Sequence, residues 1–338
     1  RFNDHHSLNL VALGAPYKRG GSSTVVQEMY DLYGDHYYNA YWGFQQGEKR
    51  SSRVYSGHQP LFMLRHDFHI NDKLDLTTSL GYQTGKSTVS AMDWLYANDP
   101  RPDYYRRLPS YVDDPVLADQ IKTVLTDDKD LLQVQWDNFY QVNLNSHFIV
   151  EDADGIAGNT VEGALSHYIM EDRISDVSKA SANIVLQYRI NDNSQLNAGI
   201  SATAQNTRNY KEVNDLMGGE FYIDWDKFAD QDFPGNEDAL QNDLRRPNRI
   251  LNEGDQFGYD YYSRIRQEAL WASYSVNLTK WEMGLAGSVK NHTYWRDGQT
   301  QNGKFPNNSY GESAKNNFLL PSGKALIRYK LDGRNYLT

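Results

Sequence analysis

Apolar and polar positions alternate with a period of two over several stretches of the chain. Leu74, Leu76, Thr78, Leu80 and Tyr82 stand against Asp75, Thr77, Ser79, Gly81 and Gln83. Leu196, Ala198, Ile200 and Ala202 stand against Asn197, Gly199, Ser201 and Thr203, and Ala272, Tyr274, Val276 and Leu278 against Ser273, Ser275 and Asn277. Trp281, Met283, Leu285, Gly287 and Val289 continue the pattern against Glu282, Gly284, Ala286, Ser288 and Lys290. Successive side chains of a strand point to opposite faces. Each stretch therefore predicts a strand with one apolar face and one face of amides, hydroxyls and small residues. Strands are expected near 7–14, 60–70, 74–84, 165–190, 195–210, 262–279, 281–296 and 322–331, with a ninth starting near 335.

The connections between these strands are of two kinds. Phe2-Asn3-Asp4, Ile70-Asn71-Asp72 and Ile190-Asn191-Asp192 each precede a new strand closely, and Thr279-Lys280 and Asp332-Gly333 hold the equivalent place in later hairpins. Asn and Asp tolerate the left-handed backbone that tight hairpins demand, so short turns are expected here. The other connections, near 15–59, 85–164, 211–261 and 297–321, run from about 25 to 80 residues, far beyond ordinary loops. Short turns at one rim and long loops at the other is the pattern of outer-membrane barrels. A soluble β-sandwich with decorated loops is the competing architecture, but its outward face is usually charged. Here the polar face is mostly Asn, Ser, Thr, Gly and Gln, which suits a wet lumen better than an exterior. The chain opens on Asn3-Asp4 and closes just past Asp332-Gly333-Arg334-Asn335, so both ends read as cuts through a hairpin of something longer.

Composition narrows the function classes. No run of apolar residues is long enough for a membrane helix, a test that does not touch membrane strands. A net charge of −10 disfavours binding to phosphate backbones, so no nucleic-acid partner is expected. The absence of cysteine excludes disulfides, thiolate metal sites and cysteine nucleophiles. The 25 tyrosines outnumber the 12 phenylalanines and 7 tryptophans, and rings with a polar handle suit boundaries between wet and greasy regions.

Five stretches, in order, resemble the barrels of Bacteroidetes TonB-dependent outer-membrane receptors. Leu13-Gly14-Ala15-Pro16 is followed by Asn39-Ala40-Tyr41-Trp42-Gly43-Phe44-Gln45-Gln46-Gly47-Glu48-Lys49-Arg50 and His58-Gln59-Pro60. Asp99-Pro100-Arg101-Pro102-Asp103-Tyr104-Tyr105-Arg106-Arg107-Leu108-Pro109-Ser110-Tyr111, Gln135-Trp136-Asp137 and Ile169-Met170-Glu171-Asp172-Arg173 complete the series, and the likeness covers essentially the whole chain. The resemblance implies an all-β fold: an antiparallel transmembrane β-barrel segment, eight or nine strands of a barrel of about 22, with short periplasmic turns and long extracellular loops. It implies that residues 1–338 are part of one barrel domain. The plug domain and the remaining strands are not in this sequence. The partners it implies are that plug and those strands, the TonB-ExbB-ExbD energy-transducing system and outer-membrane lipid, with a surface lipoprotein lid as a further partner the family allows. The function it implies is import of a nutrient such as a glycan, peptide or chelate. The alternatives are a secreted soluble glycan-binding module and a complete small barrel with an adhesive role.

No catalytic signature is present: no HExxH, P-loop, GxSxG or dinucleotide fingerprint. Neighbouring carboxylates such as Asp113-Asp114 and Asp127-Asp128 are no evidence of the separation a glycosidase needs, and no enzyme activity is expected. His66 and His69 would point to opposite faces of a strand, so no shared metal is expected there. No cofactor is called for. Glu151-Asp152-Ala153-Asp154-Gly155 lacks the third acidic ligand of a calcium loop. The acidic stretch Asp224, Asp226, Asp230, Asp232, Glu237, Asp238 and Asp243 reads first as a solvated face and only second as a calcium site. The strand-end rings Tyr82, Tyr188, Tyr274 and Trp281 suit a bilayer girdle. The loop rings Tyr38, Tyr41, Trp42, Trp94, Tyr104, Tyr105, Trp136 and Trp225 are the candidate ligand-binding residues, since rings beside amides and carboxylates stack on sugars, peptides or aromatic ligands. Self-packing of the loops is the competing role for them.

Overall fold

The computed structural model describes residues 3–332 and 334–338, with Asp230 described by its backbone alone. Phe2 and Gly333, which two of the expected turns include, lie outside the described residues. Nine antiparallel strands form one curved wall in strict sequence order: β1 (His6–Leu13), β2 (Leu61–Asn71), β3 (Leu74–Trp94), β4 (Tyr168–Asn191), β5 (Ser194–Asp215), β6 (Gln256–Asn277), β7 (Trp281–Gly298), β8 (Asn316–Lys330) and β9 (Tyr336–Leu337). The three shorter strands Tyr17–Gly20, Val54–His58 and Gly311–Glu312 bring the sheet to twelve. The wall is open. Among the described residues β1 and β9 are its two ends and do not pair with each other. The reading as a self-closed small barrel required that pairing, and the open edge corrects it.

Alternation along each strand becomes two continuous faces through the register. Ile184, Ile200, Leu270 and Val289 stand side by side on β4 to β7, and Asn183, Ser201, Ala269 and Lys290 form the neighbouring row on the other side. Among the described residues no second sheet covers the apolar side: Ile200 is 50% exposed, Leu270 60% and Leu285 65%. The three clusters of buried apolar residues all lie at the long-loop end. A sandwich would bury this face, so the sandwich arrangement is not the fold. The apolar row on β3 runs from Leu74 to Tyr82, about the nine to eleven tilted residues that span a bilayer. Tyr188, Tyr274 and Trp281 stand exposed at the short-turn end of the same face. This is the antiparallel wall of a transmembrane-type β-barrel.

The turns form as expected in place but by a different device. The Asn71 Oδ1 accepts from the Lys73 amide at 3.0 Å, and the Asn191 Oδ1 accepts from the Asn193 amide at 3.0 Å. Neither residue has a positive φ. Asn serves here as a side-chain acceptor that closes the turn, and its tolerance of left-handed backbone is not used.

The wall continues well beyond the apolar belt. β3 reaches Trp94, ten residues past the expected end at 84, and β4 is 24 residues long. Val54–His58 carries the pairing of β2 with β3 across the break at Gln59-Pro60. Gly85 makes this possible: its φ is +121°, and a Cβ there would lie 2.1 Å from the His58 carbonyl oxygen. Above this bulge the outer face of the wall changes to ion pairs. Arg208 meets Asp260 at 2.6 Å and Arg264 meets Asp297 at 2.5 Å. Charges at this height place it outside a hydrocarbon layer.

The uncovered belt sets a test. Leu270→Arg should destabilise the protein folded in lipid vesicles by about 2–4 kcal/mol. Ser201→Arg, on the opposite face, should cost far less. Equilibrium urea unfolding in vesicles measures both.

Candidate functional site

The long loops fold around their own small cores. Helix α1 (Gln27–Tyr33) ends at Gly34, whose left-handed φ of +79° closes it. It packs Met29 and Leu32 against Tyr38, Leu108 and Leu132. Helix α2 (Pro115–Asp127) starts where the Asp114 carboxylate accepts from the Val116 amide, with Pro115 at the first helical position. Helix α3 (Trp136–Leu144) lays Trp136 and Phe139 on Tyr168, Met170 and Met217. Buried Asn143 pins it there. Its Nδ2 donates to the carbonyls of Tyr168, Leu216 and Met217, and its Oδ1 accepts from the amides of His167 and Tyr168. The third loop, 216–255, folds over the polar side of the wall. Phe221, Ile223 and Leu251 cover Ile169 and Val213 there.

Under that loop the polar side of the wall ends in a buried charge cluster. Asp93 of β3, Glu171 and Arg173 of β4 and Lys211 of β5 share the face that carries Ser79, Asn183 and Ser201 lower down. Lys211 Nζ lies 2.7 Å from Glu171 and 3.3 Å from Asp93, and Arg173 reaches Glu171 at 2.6 Å. The third loop adds Lys227, whose ammonium lies 2.5 Å from Asp93 and 3.3 Å above the Trp94 ring. Burial pushes the Asp93 carboxyl up, but Lys211 and Lys227 together outweigh it and hold it at about 2. Burial raises Glu171, against the pull of Lys211 and with the push of Asp93. Burial lowers Lys211, and the two carboxylates more than reverse this.

Beside this cluster opens a cleft of about 450 Å³, the size of a small-molecule site. Its walls come from the upper ends of β3, β5, β6 and β7 and from the third and fourth loops. Trp225, Phe228, Tyr259, Tyr261 and Phe305 present rings to it. Phe228 is 51% exposed and Phe305 59%. Lys304 of the fourth loop pairs with Asp226 of the third at 2.6 Å, so one ion pair closes the two loops around the opening.

The eight loop rings singled out in the sequence scatter. Trp225 lines the cleft, and Trp94 stands behind it as the platform for Lys227. Tyr38 and Trp136 are core residues: the Tyr38 hydroxyl donates to the Leu132 carbonyl at 2.6 Å, and Trp136 has no exposed surface. Tyr41 and Trp42 are half-buried on the first loop, with Arg53 and Lys49 over their faces. Tyr104 and Tyr105 meet edge to face on the second loop, with Tyr111 on the far side of Tyr105. These last four rings do not reach the cleft.

The acidic segments have structural work. The Asp152 Oδ1 accepts from the Gly158 amide and the Asp154 Oδ1 from the Ile250 amide. Asp224 is buried and accepts from Asn242 Nδ2 and the Gly258 amide, and burial raises its carboxyl. Among the described residues no three His, Asp or Glu side chains converge in a metal-holding group. His66 Nε2 lies 3.0 Å from His6 Nδ1 on the apolar side, while His69 pairs with Asp75 on the polar side.

No family model and no curated protein matches this sequence. Solved structures do match. The ferric citrate transporter FecA in its unliganded form aligns over 98% of this chain and 32% of its own, at 8% identity and a TM-score of 0.51. The ferric-catecholate import receptor Fiu of E. coli K12 in its closed form aligns over 97% of this chain and 39% of its own, at 11% identity and 0.45. The siderophore receptor PiuA of Acinetobacter baumannii aligns over 97% and 38%, also at 11% and 0.45. This chain thus spans about a third of the length of FecA, with which it shares the wall architecture.

The Asp93 cluster has a direct test. The Asp93 carboxyl sits at about 2, below its ordinary 3.8, so its contribution to stability is complete above about pH 4 and disappears as pH falls toward 2. Asp93→Asn should remove about 3 kcal/mol from the docking of the third loop at neutral pH, by leaving Lys227 and Lys211 under-compensated. Hydrogen exchange of residues 216–255 should show this loss, and the loop's sensitivity between about pH 4 and 2 should shrink in the variant.

Proposed function

We propose that this chain is a segment of the barrel of a TonB-dependent outer-membrane receptor that imports a nutrient captured at the loop rim. The observation that carries the reading is the wall itself. Its apolar face is bilayer-high and uncovered, and its polar face rises without interruption into a loop-built cleft. The shared architecture with FecA supports a membrane barrel, and the five sequence stretches support the TonB-dependent class. In this reading the open edges at β1 and β9 continue into the remaining barrel strands. The amide-rich face meets the plug, and the TonB-ExbB-ExbD system supplies the energy that displaces it. Capture is by binding, with no bond chemistry. The work falls to the cleft lined by Trp225, Tyr259 and Tyr261, with the rings Tyr41, Trp42, Tyr104 and Tyr105 of the first two loops as outer contacts. A Bacteroidetes source and a surface lipoprotein lid belong to the same reading.

These 338 residues hold no cysteine, so a cysteine introduced among them is the single thiol of the segment and reports its orientation. A single cysteine at Phe305 should react with a membrane-impermeant maleimide on whole cells, and one at Asp72 only after lysis. Equal labelling of both, or recovery of the protein in buffer without detergent, would contradict the reading and favour a secreted module. In cells lacking TonB, ligand should remain bound at the surface and uptake should cease.

A further inference from the structure

The cleft does not end at its aromatic rings. A second pocket of about 240 Å³ adjoins it, and the two share Phe257, Asp260 and Thr300 as walls. Three arginines of the third loop, Arg245, Arg246 and Arg249, line this second pocket. Its carboxylates are already engaged by other groups. Asp224 accepts from Asn242 and Gly258, Asp243 from the amides of Arg245 and Gln301, and Asp260 holds Arg208. The guanidinium groups are held by backbone carbonyls and a ring more than by carboxylates. Arg246 makes no ion pair among the described residues, Arg249 donates to the Gln256 carbonyl and reaches Asp255 only at 3.8 Å, and Arg245 lies over the Tyr310 ring at 4.3 Å with its Nη1 3.5 Å from the Gln299 carbonyl. The two pockets together present seven cationic side chains against five carboxylates, in a chain whose net charge is −10. The local sign is therefore opposite to that of the protein as a whole.

Resting on the receptor reading above, we propose that the double cleft binds an acidic oligosaccharide. Its sugar rings stack on Tyr259, Phe228 and Phe305, and a carboxylate enters the arginine pocket. Exposed ring faces beside the amides of Asn242 and Asn302 and the hydroxyl of Thr300 match the alternating C–H faces and hydroxyl rims of a sugar. A planar guanidinium matches a carboxylate in a forked, two-bond geometry. A cleft with more cations than carboxylates on an acidic protein focuses an anionic ligand there.

Calorimetric titration of the detergent-purified protein at low salt, with trigalacturonate and with its neutral methyl ester, tests this. The acid should bind at least about tenfold more tightly than the ester, the factor expected for a charge-assisted pair. The preference should fall as salt rises. In an Arg245→Gln/Arg246→Gln double variant the ratio of the two affinities should collapse toward one, and Tyr259→Ala should weaken both ligands. Equal affinity for acid and ester, a ratio that survives in the double variant, or no binding of either ligand overturns the proposal. Competition by inorganic phosphate or citrate as strong as by trigalacturonate also overturns it, because the pocket would then be a small-anion site. The receptor reading is judged separately, by the cysteine labelling.

Discussion

One constraint organises this molecule: a sheet whose strands β2 to β7 are paired on both sides has one face that no described residue covers. Ile200, Leu270 and Leu285 stand in the open on strands that hold their register for 17 to 19 residues without a shift. In water such a face would drive association. In a bilayer it meets a medium as apolar as itself, and from β2 to β7 the inter-strand hydrogen bonds satisfy the backbone on both sides. The height of the belt, the rings at its lower edge and the appearance of Arg–Asp pairs above it all follow from that single partition between lipid and water.

The rim obeys the opposite rule. Above the belt there is water on every side, so the loops must bury their own apolar groups, and they do so in three small clusters around the strand tops. These are modest cores, and they are pinned by polar devices at the points where segments meet. Asn143 joins α3 to two other chain segments, Lys227 joins the third loop to β3, and Lys304 joins the fourth loop to the third. A buried cluster with two carboxylates among three cations adds little to stability by itself, but removing one partner strands the others. That asymmetry fixes where the third loop sits, and with it the shape of the cleft.

Much of the wall was legible in the sequence because a period of two survives wherever one face is greasy. The expected strands at 74–84 and 281–296 begin where the structure begins them. The pattern predicts β3 only to 84 because it loses contrast there: Ser87, Thr88 and Ser90 put polar side chains on both faces once the strand leaves the belt. Asn71 and Asn191 mark the turns in the sequence, although they close them by accepting a hydrogen bond. The cleft was hardly legible. Its cations find their carboxylates on other elements, as Lys227 finds Asp93 134 residues away, so no local spacing announces them. Aromatic density in the loops pointed at Tyr38 and Trp136 as readily as at Trp225. Only burial separates a ring that fills a core from one that faces an opening.

The central claim is that one face of this sheet meets lipid tails and the other meets water. Spin labels at single cysteines substituted for Ile200, Ser201, Ala269 and Leu270, in the protein reconstituted into vesicles, measure it most directly through relative accessibility to oxygen and to a water-soluble nickel chelate. Positions 200 and 270 should be open to oxygen and closed to nickel, with 201 and 269 reversed. Nickel access at all four positions, or at none of them, would contradict the account.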